Sequence, residues 1–141
     1  MSHLSEAQQA QFAAMRKALD GFVMKIADSP AEVNDNMAAI RTWHPGSFVR
    51  GDVRMYADIP RFCKQTHDST ANPGWTPEAE PALWGHYHGT TPETARPFEA
   101  DAANMYRAGE YMIWTDGTVK RCREDTAYSP DEYAAAWEDA T

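Results

Sequence analysis

Phe48-Val49-Arg50-Gly51-Asp52 and Tyr106-Arg107-Ala108-Gly109-Glu110 are one pattern written twice, aromatic-x-x-Gly-acid at an offset of 58. The same offset pairs Met55-Tyr56 with Ile113-Trp114 and Asp58 with Asp116, and a one-residue slip then aligns Cys63-Lys64 with Cys122-Arg123. Both copies continue to a hydroxyl residue and proline, Thr76-Pro77 and Ser129-Pro130. Both close on an apolar approach to tryptophan, Ala82-Leu83-Trp84 and Ala135-Ala136-Trp137. Turn residues punctuate the region at His44-Pro45-Gly46, Ala57-Asp58, Asn72-Pro73-Gly74 and Thr115-Asp116-Gly117, which predicts short strands joined by hairpins. Asp116-Gly117 is the strongest hairpin signal, read as a two-residue turn whose central positions both need positive φ.

Upstream the texture is different. Ser5 can cap a run rich in Gln, Ala, Arg and Lys, with Phe12, Met15, Leu19, Phe22, Val23 and Ile26 spaced by threes and fours. That spacing predicts a helix with one apolar stripe, which also fits a heptad seam from Phe12 to Ile26. Two readings follow: a lead-in packed on its own domain, or a coiled coil through residues 5–27 that makes a homo-oligomer. Asp28-Ser29-Pro30 breaks the run, and Ser29 with Pro30 can start a second short helix carrying Val33, Met37 and Ile40 inward. The expected fold class is therefore α+β and mainly β overall: a helical segment over 1–42, a first small antiparallel β module over 43–90, and a repeat-related second over 91–141.

Composition narrows the function. The 13 Lys+Arg against 21 Asp+Glu give a net charge of −8 over 141 residues, which argues against nucleic acid or an anionic membrane as partner. No stretch approaches 18 consecutive apolar residues, and the N-terminus lacks the layout of a secretory signal. Two cysteines make neither a disulfide scaffold nor a four-Cys zinc module. All 5 Trp and all 6 Tyr lie beyond Thr42.

The first copy, from Phe48 to Tyr56 through Arg61-Phe62-Cys63, His67-Asp68-Ser69, Gly74-Trp75-Thr76-Pro77 and Pro81-Ala82-Leu83-Trp84, resembles the type 5/12 carbohydrate-binding, chitin-binding-like modules of bacterial prophage tail proteins. The second copy, Tyr106 to Trp137, looks like the partner module that often follows there. The resemblance spans residues 43–138, about two thirds of the chain. It implies a compact module of short antiparallel strands that binds polysaccharide through surface aromatics, without chemistry and without a cofactor. It also implies other tail proteins as partners, and a place on the virion tail or outside the cell after phage release, following synthesis in the bacterial cytoplasm. Where chitinase-type members carry a pair of aromatics after the second strand, this chain reads Lys64-Gln65-Thr66-His67, so that platform is not carried over.

Sugar recognition needs flat rings to stack on pyranose faces and polar groups to bond hydroxyls. Trp84 and Trp137 read as core closures and Trp43 as packed. Trp75, in an irregular stretch and with no repeat partner in this reading, leads the candidates; Tyr56, Trp114 and Tyr128 follow, with Asp68 and Asn72 as polar neighbours. His86 and His88 could offer two metal ligands with His67 as a third, but no ligand cluster of established spacing surrounds them, so they read as a solvated pair and no metal is expected. Cys63 and Cys122 read as structural thiols, and the acids as water-ionised residues in turns, so no enzyme is expected. The expected function is attachment to cell-surface or cell-wall glycan. The alternative is an oligomerising assembly unit of a tail fibre or baseplate with no sugar binding.

Overall fold

A computed structural model of the chain describes residues 5–140, which divide into two compact units after Gly85. The fold is α+β and mainly antiparallel, with one long helix ahead of short strands.

In the first unit, helix α1 (Glu6–Ile26) starts with a capping box in which Ser5 Oγ accepts from the Gln8 N–H and Gln8 Oε1 from the Ser5 N–H. Ser29 caps the short helix α2 (Pro30–Asp35), with Pro30 in its first turn. Val33 and Ile40 are buried as expected, whereas Met37 is half-buried. The stripe of α1 divides. Val23 and Ile26 are buried, and Asp20 binds Arg41 through two hydrogen bonds of 3.0 and 2.9 Å while also pairing with Arg16 at 2.8 Å. Arg41, ahead of Arg16, holds the Asp20 carboxyl below the usual range. Toward the other end, every side chain from Ser5 to Met15 is exposed.

Strands β1 (Ser47–Phe48) and β4 (His67–Asp68) pair antiparallel, and β2 (Val53–Tyr56), β3 (Ile59–Cys63) and β5 (Trp84–His86) form a three-stranded sheet in that order. In the second unit β6 (Arg96–Pro97), β7 (Tyr111–Ile113), β8 (Val119–Cys122) and β9 (Trp137–Asp139) form a four-stranded sheet in which only β6–β7 is parallel.

The repeat holds down to individual hydrogen bonds. Gly51 and Gly109 take φ of +96° and +94°, a conformation that L side chains adopt at a cost. The Gly51 N–H donates to Cys63 O at 2.9 Å and the Gly109 N–H to Cys122 O at 2.8 Å. In return the Cys63 N–H donates to Asp52 O at 2.8 Å and the Cys122 N–H to Glu110 O at 2.7 Å. The acid locks the same turn in each: Asp52 Oδ2 accepts from the Val49 N–H at 2.8 Å, and Glu110 Oε1 from the Arg107 N–H at 2.7 Å. Each thiol donates to a carbonyl two residues on, Gln65 O at 3.0 Å and Glu124 O at 2.9 Å. Each closing tryptophan meets the opening aromatic edge-on, Phe48–Trp84 at 5.0 Å and Tyr106–Trp137 at 5.1 Å between centroids. These contacts sit in two small cores, Phe48, Cys63 and Trp84 in one copy, and Tyr106, Met112, Cys122, Ala136 and Trp137 in the other.

The one-residue slip comes from the hairpins. In the first copy Tyr56 pairs with Ile59 across a two-residue loop, Ala57 and Asp58 both having positive φ (+51° and +63°). In the second, a three-residue loop, Thr115-Asp116-Gly117, is closed by the Trp114 N–H donating to Thr118 O at 2.9 Å, and Gly117 has φ +84°. The Asp116-Gly117 reading is thus corrected: Asp116 has ordinary φ, and its carboxylate accepts from the Thr118 N–H instead. The two-residue turn with two positive φ angles is Ala57-Asp58.

Two glycines with open space around them should respond with opposite sign. Gly109→Ala forces a Cβ into positive φ and should destabilise by about 1–2 kcal/mol. Gly21→Ala, inside α1, should stabilise the helix by about 0.5–1 kcal/mol. Urea denaturation of the two variants checks both signs.

Candidate functional site

Thr76-Pro77 and Ser129-Pro130 start matching turns. The Glu80 N–H donates to Thr76 O at 3.0 Å and the Tyr133 N–H to Ser129 O at 2.8 Å, while the hydroxyls accept from Ala79 and Glu132 N–H at 3.1 and 3.2 Å. The residue before each turn is therefore equivalent, and it is Trp75 in the first copy and Tyr128 in the second. Trp75 is 37 % exposed and Tyr128 59 %. Trp75 is consequently a repeated aromatic, which corrects its reading as one without a counterpart.

The backbone under both rings is held. The Trp75 N–H donates to Asn72 O at 3.0 Å, and the Asn72 N–H to Ser69 O at 2.8 Å. Ser69 is fully buried and ties the loop to the His44-Pro45-Gly46 turn: its N–H donates to Gly46 O at 2.8 Å and its Oγ accepts from the Gly46 N–H at 3.1 Å. In the second copy the Tyr128 N–H donates to Thr126 Oγ1 at 3.0 Å, and Tyr128 O accepts from Trp137 Nε1 at 3.0 Å. Trp84 has no such acceptor: its Nε1 and His67 Nε2 are buried without a hydrogen-bond partner, which costs about 1–3 kcal/mol per group. Trp75 lies 12 residues beyond Cys63 and Tyr128 only 6 beyond Cys122, so the first link is longer by six than the tight Thr126-Ala127-Tyr128 link.

The remaining candidates are less free. The Tyr56 ring is half-buried, stacks on Trp43 at 5.7 Å and 18°, and has the Arg61 guanidinium 5.7 Å from its centroid. Trp114 is half-buried and edge-on to Phe98 at 5.5 Å, part of the second core. Asp68 is exposed, its Oδ1 accepting from the Thr70 N–H at 2.9 Å; the Thr70 hydrogen bonds hold its carboxyl below the usual range. Asn72 is half-buried. Tyr133, exposed and one turn beyond Tyr128, escaped sequence reading because it lies in a run of polar and small residues that reads as solvated.

His86 and His88 are not a solvated pair. Both are buried, with ring centroids 5.0 Å apart. His86 Nε2 lies 2.8 Å from Glu99 Oε2, and His88 Nε2 donates to Asn104 O at 2.9 Å while its ring stacks on Tyr106 at 3.6 Å. Asn104 Nδ2 donates to His86 O at 2.8 Å, closing a polar cluster that alternating sequence could not disclose, because Glu99 and Asn104 come from a separate loop. Among the described residues no group of three or more His, Cys, Asp or Glu could hold a metal. Burial pushes the Cys122 thiol up to about 11, the reverse of what an activated nucleophile needs. Glu110 departs from the expectation that acids lie in water: it is buried and its pKa raised by desolvation, yet its carboxylate is spent on the turn. A pocket of about 160 Å³ lined by Asp20, Val23, Met24, Arg41, Asp52, Val53 and Arg54 sits where α1 meets the first sheet, its Asp20 already paired.

No protein-family model matches the chain, and no curated protein matches it. The resemblance to carbohydrate-binding modules therefore rests on the residues themselves.

Burial lowers the His88 pKa from 6.5 to about 4. Between those values the unfolded chain binds a proton that the folded chain does not, so stability falls as pH drops through that window. At pH 5 the loss relative to pH 7 should be about 2 kcal/mol. Denaturation at the two pH values, with His88→Gln removing that slope, checks it; an unchanged slope in the variant would assign the effect elsewhere.

Proposed function

We propose that the chain is a non-catalytic glycan-binding protein of the tail-associated kind its motifs resemble, holding cell-surface or cell-wall polysaccharide through one exposed ring per module, Trp75 and Tyr128. The observation that supports this is the equivalence of those two positions. The turn behind each ring is rebuilt with a different hydroxyl residue, Thr76 or Ser129, and the link before it differs by six residues, yet a large aromatic stands exposed at the same point in both. A core explains Trp84 and Trp137; it does not explain an aromatic kept outside the core twice. A ring of this kind covers the C–H face of a pyranose, and its fixed backbone limits the ordering cost of binding.

The polar groups needed to orient a sugar are at hand in each copy. Asp68 and Asn72 precede Trp75 in the same loop, and Tyr133 follows Tyr128 with its hydroxyl beside Glu124, whose hydrogen bond raises the phenol pKa.

Titration with chitin oligomers and with peptidoglycan fragments, followed by tryptophan fluorescence, tests the reading. Trp75→Ala and Tyr128→Ala should each weaken binding about 5–10-fold, corresponding to roughly 1–1.4 kcal/mol for a lost stacked ring. Both should leave the near-ultraviolet dichroism of the cores in place, since Tyr128→Ala keeps the carbonyl that receives Trp137. Absence of any response to these and to host surface glycans would remove the proposal in favour of an assembly role.

A further inference from the structure

The exposed half of α1 carries a second surface, independent of the glycan reading. Phe12, Met15, Leu19 and Phe22 are 53, 53, 39 and 40 % exposed, and their spacing of three, four and three places them along one seam of the helix. Val23 and Ile26, where α1 rests on the first module, end that seam. Ahead of them, every side chain from Ser5 to Met15 is exposed. A segment of that length is a marginal helix in water unless an apolar face is buried.

We propose that this seam pairs with the same seam of a second copy of the chain. The repeat of the seam selects that occupant. Knobs spaced by threes and fours require holes of the same spacing, and a second copy supplies them by construction. Within the described residues the other α-helix, α2, is 6 residues long, and its Val33 is already fully buried.

Charge selects it too. The chain carries −8, so two copies repel over most of their surface, yet residues 5–26 hold 3 bases (Arg16, Lys17, Lys25) against 2 acids (Glu6, Asp20). The positions bordering the seam are Gln9, Gln11, Ala18 and Val23, with Lys25 at its C-terminal end and Arg16 drawn aside to Asp20 and Ala39 O. The helix thus carries only a net +1, so acidic copies meet there with far less like-charge repulsion than across the rest of their surface. The four side chains expose roughly 350 Å² per chain, taking about 200 Å² for each when fully exposed. Two chains together approach the roughly 1,000 Å² of a specific interface once the flanking alanine and glutamine side chains are included.

Light scattering and sedimentation of the full chain, from about 2 to 200 μM, test the pairing over the range in which a micromolar complex forms. The expected result is a mass of at least twice 15.8 kDa at the upper concentrations. The Phe12→Asp/Leu19→Asp variant should return to 15.8 kDa, with unchanged near-ultraviolet dichroism of the module cores showing that the units remain folded. Ala10→Asp/Ala14→Asp adds the same charge on the opposite face of α1 and should leave the larger mass in place. A 15.8 kDa species for the unaltered chain at every concentration overturns the proposal. So does a larger mass that survives Phe12→Asp/Leu19→Asp, or one lost equally in both variants.

Discussion

Each β module depends on one exchange: a glycine at positive φ hands its N–H to the carbonyl of a buried cysteine, and the cysteine N–H answers the carbonyl of the acid next to that glycine. The exchange fixes where the strand pair begins and therefore its register. It also places the thiol inside, where the closing tryptophan and the opening aromatic meet edge-on. The acid side chain completes the arrangement by accepting the N–H three residues back. A module with so small a core cannot rely on buried area alone, because a short chain leaves most of its surface wet. Hydrogen bonds that fix a single register supply the specificity that area lacks, and this explains why glycine, acid and cysteine recur while most residues between them do not.

Much of this was legible in the sequence because a repeat is its own control. The offset of 58, the slip at Cys63/Cys122 and the closing Trp84 and Trp137 all reappear as matching bonds, and the α+β order is the one the texture implied. What stayed hidden depends on three-dimensional neighbours. A two-residue loop at Ala57-Asp58 and a three-residue loop at Thr115–Gly117 look alike as strings, and only the pairing registers separate them. His86 and His88 read as wet because their partner Glu99 and acceptor Asn104 come from a loop with no periodicity to announce it. Trp75 and Tyr128 directly precede the paired Thr76-Pro77 and Ser129-Pro130, so their equivalence was within reach of the sequence, and the matching turns at Thr76 and Ser129 establish it despite the longer link ahead of Trp75.

That longer link also shows how two copies can share a frame and differ in tension. In the second copy the short link brings the Tyr128 carbonyl over the indole of Trp137, so the residue that exposes its ring also satisfies the core. In the first copy the longer loop carries Trp75 away from that duty, and Trp84 Nε1 is left without a partner beside His67. Ser69, held between Gly46 N–H and Gly46 O, takes over the anchoring. The exposed ring of the first copy is therefore coupled to its core only through the loop, while that of the second is coupled directly. Loop changes around Trp75 therefore act on the core less directly than changes at Tyr128, whose carbonyl receives the Trp137 indole N–H.

A single ring stacked on a sugar gives a weak contact, of the order of 1 kcal/mol beyond the area it covers. Attachment to a surface polymer then depends on how many such contacts act together, since each additional one is drawn from an effective concentration in the millimolar range rather than from bulk. On the proposed glycan-binding reading, tandem modules would double the contacts within one chain, and the proposed pairing through α1 would double them again without any new sugar-binding residue. The two proposals meet in the same arithmetic: if the modules bind a repetitive surface weakly, copy number gained through the α1 seam would contribute more than any improvement to a single ring contact.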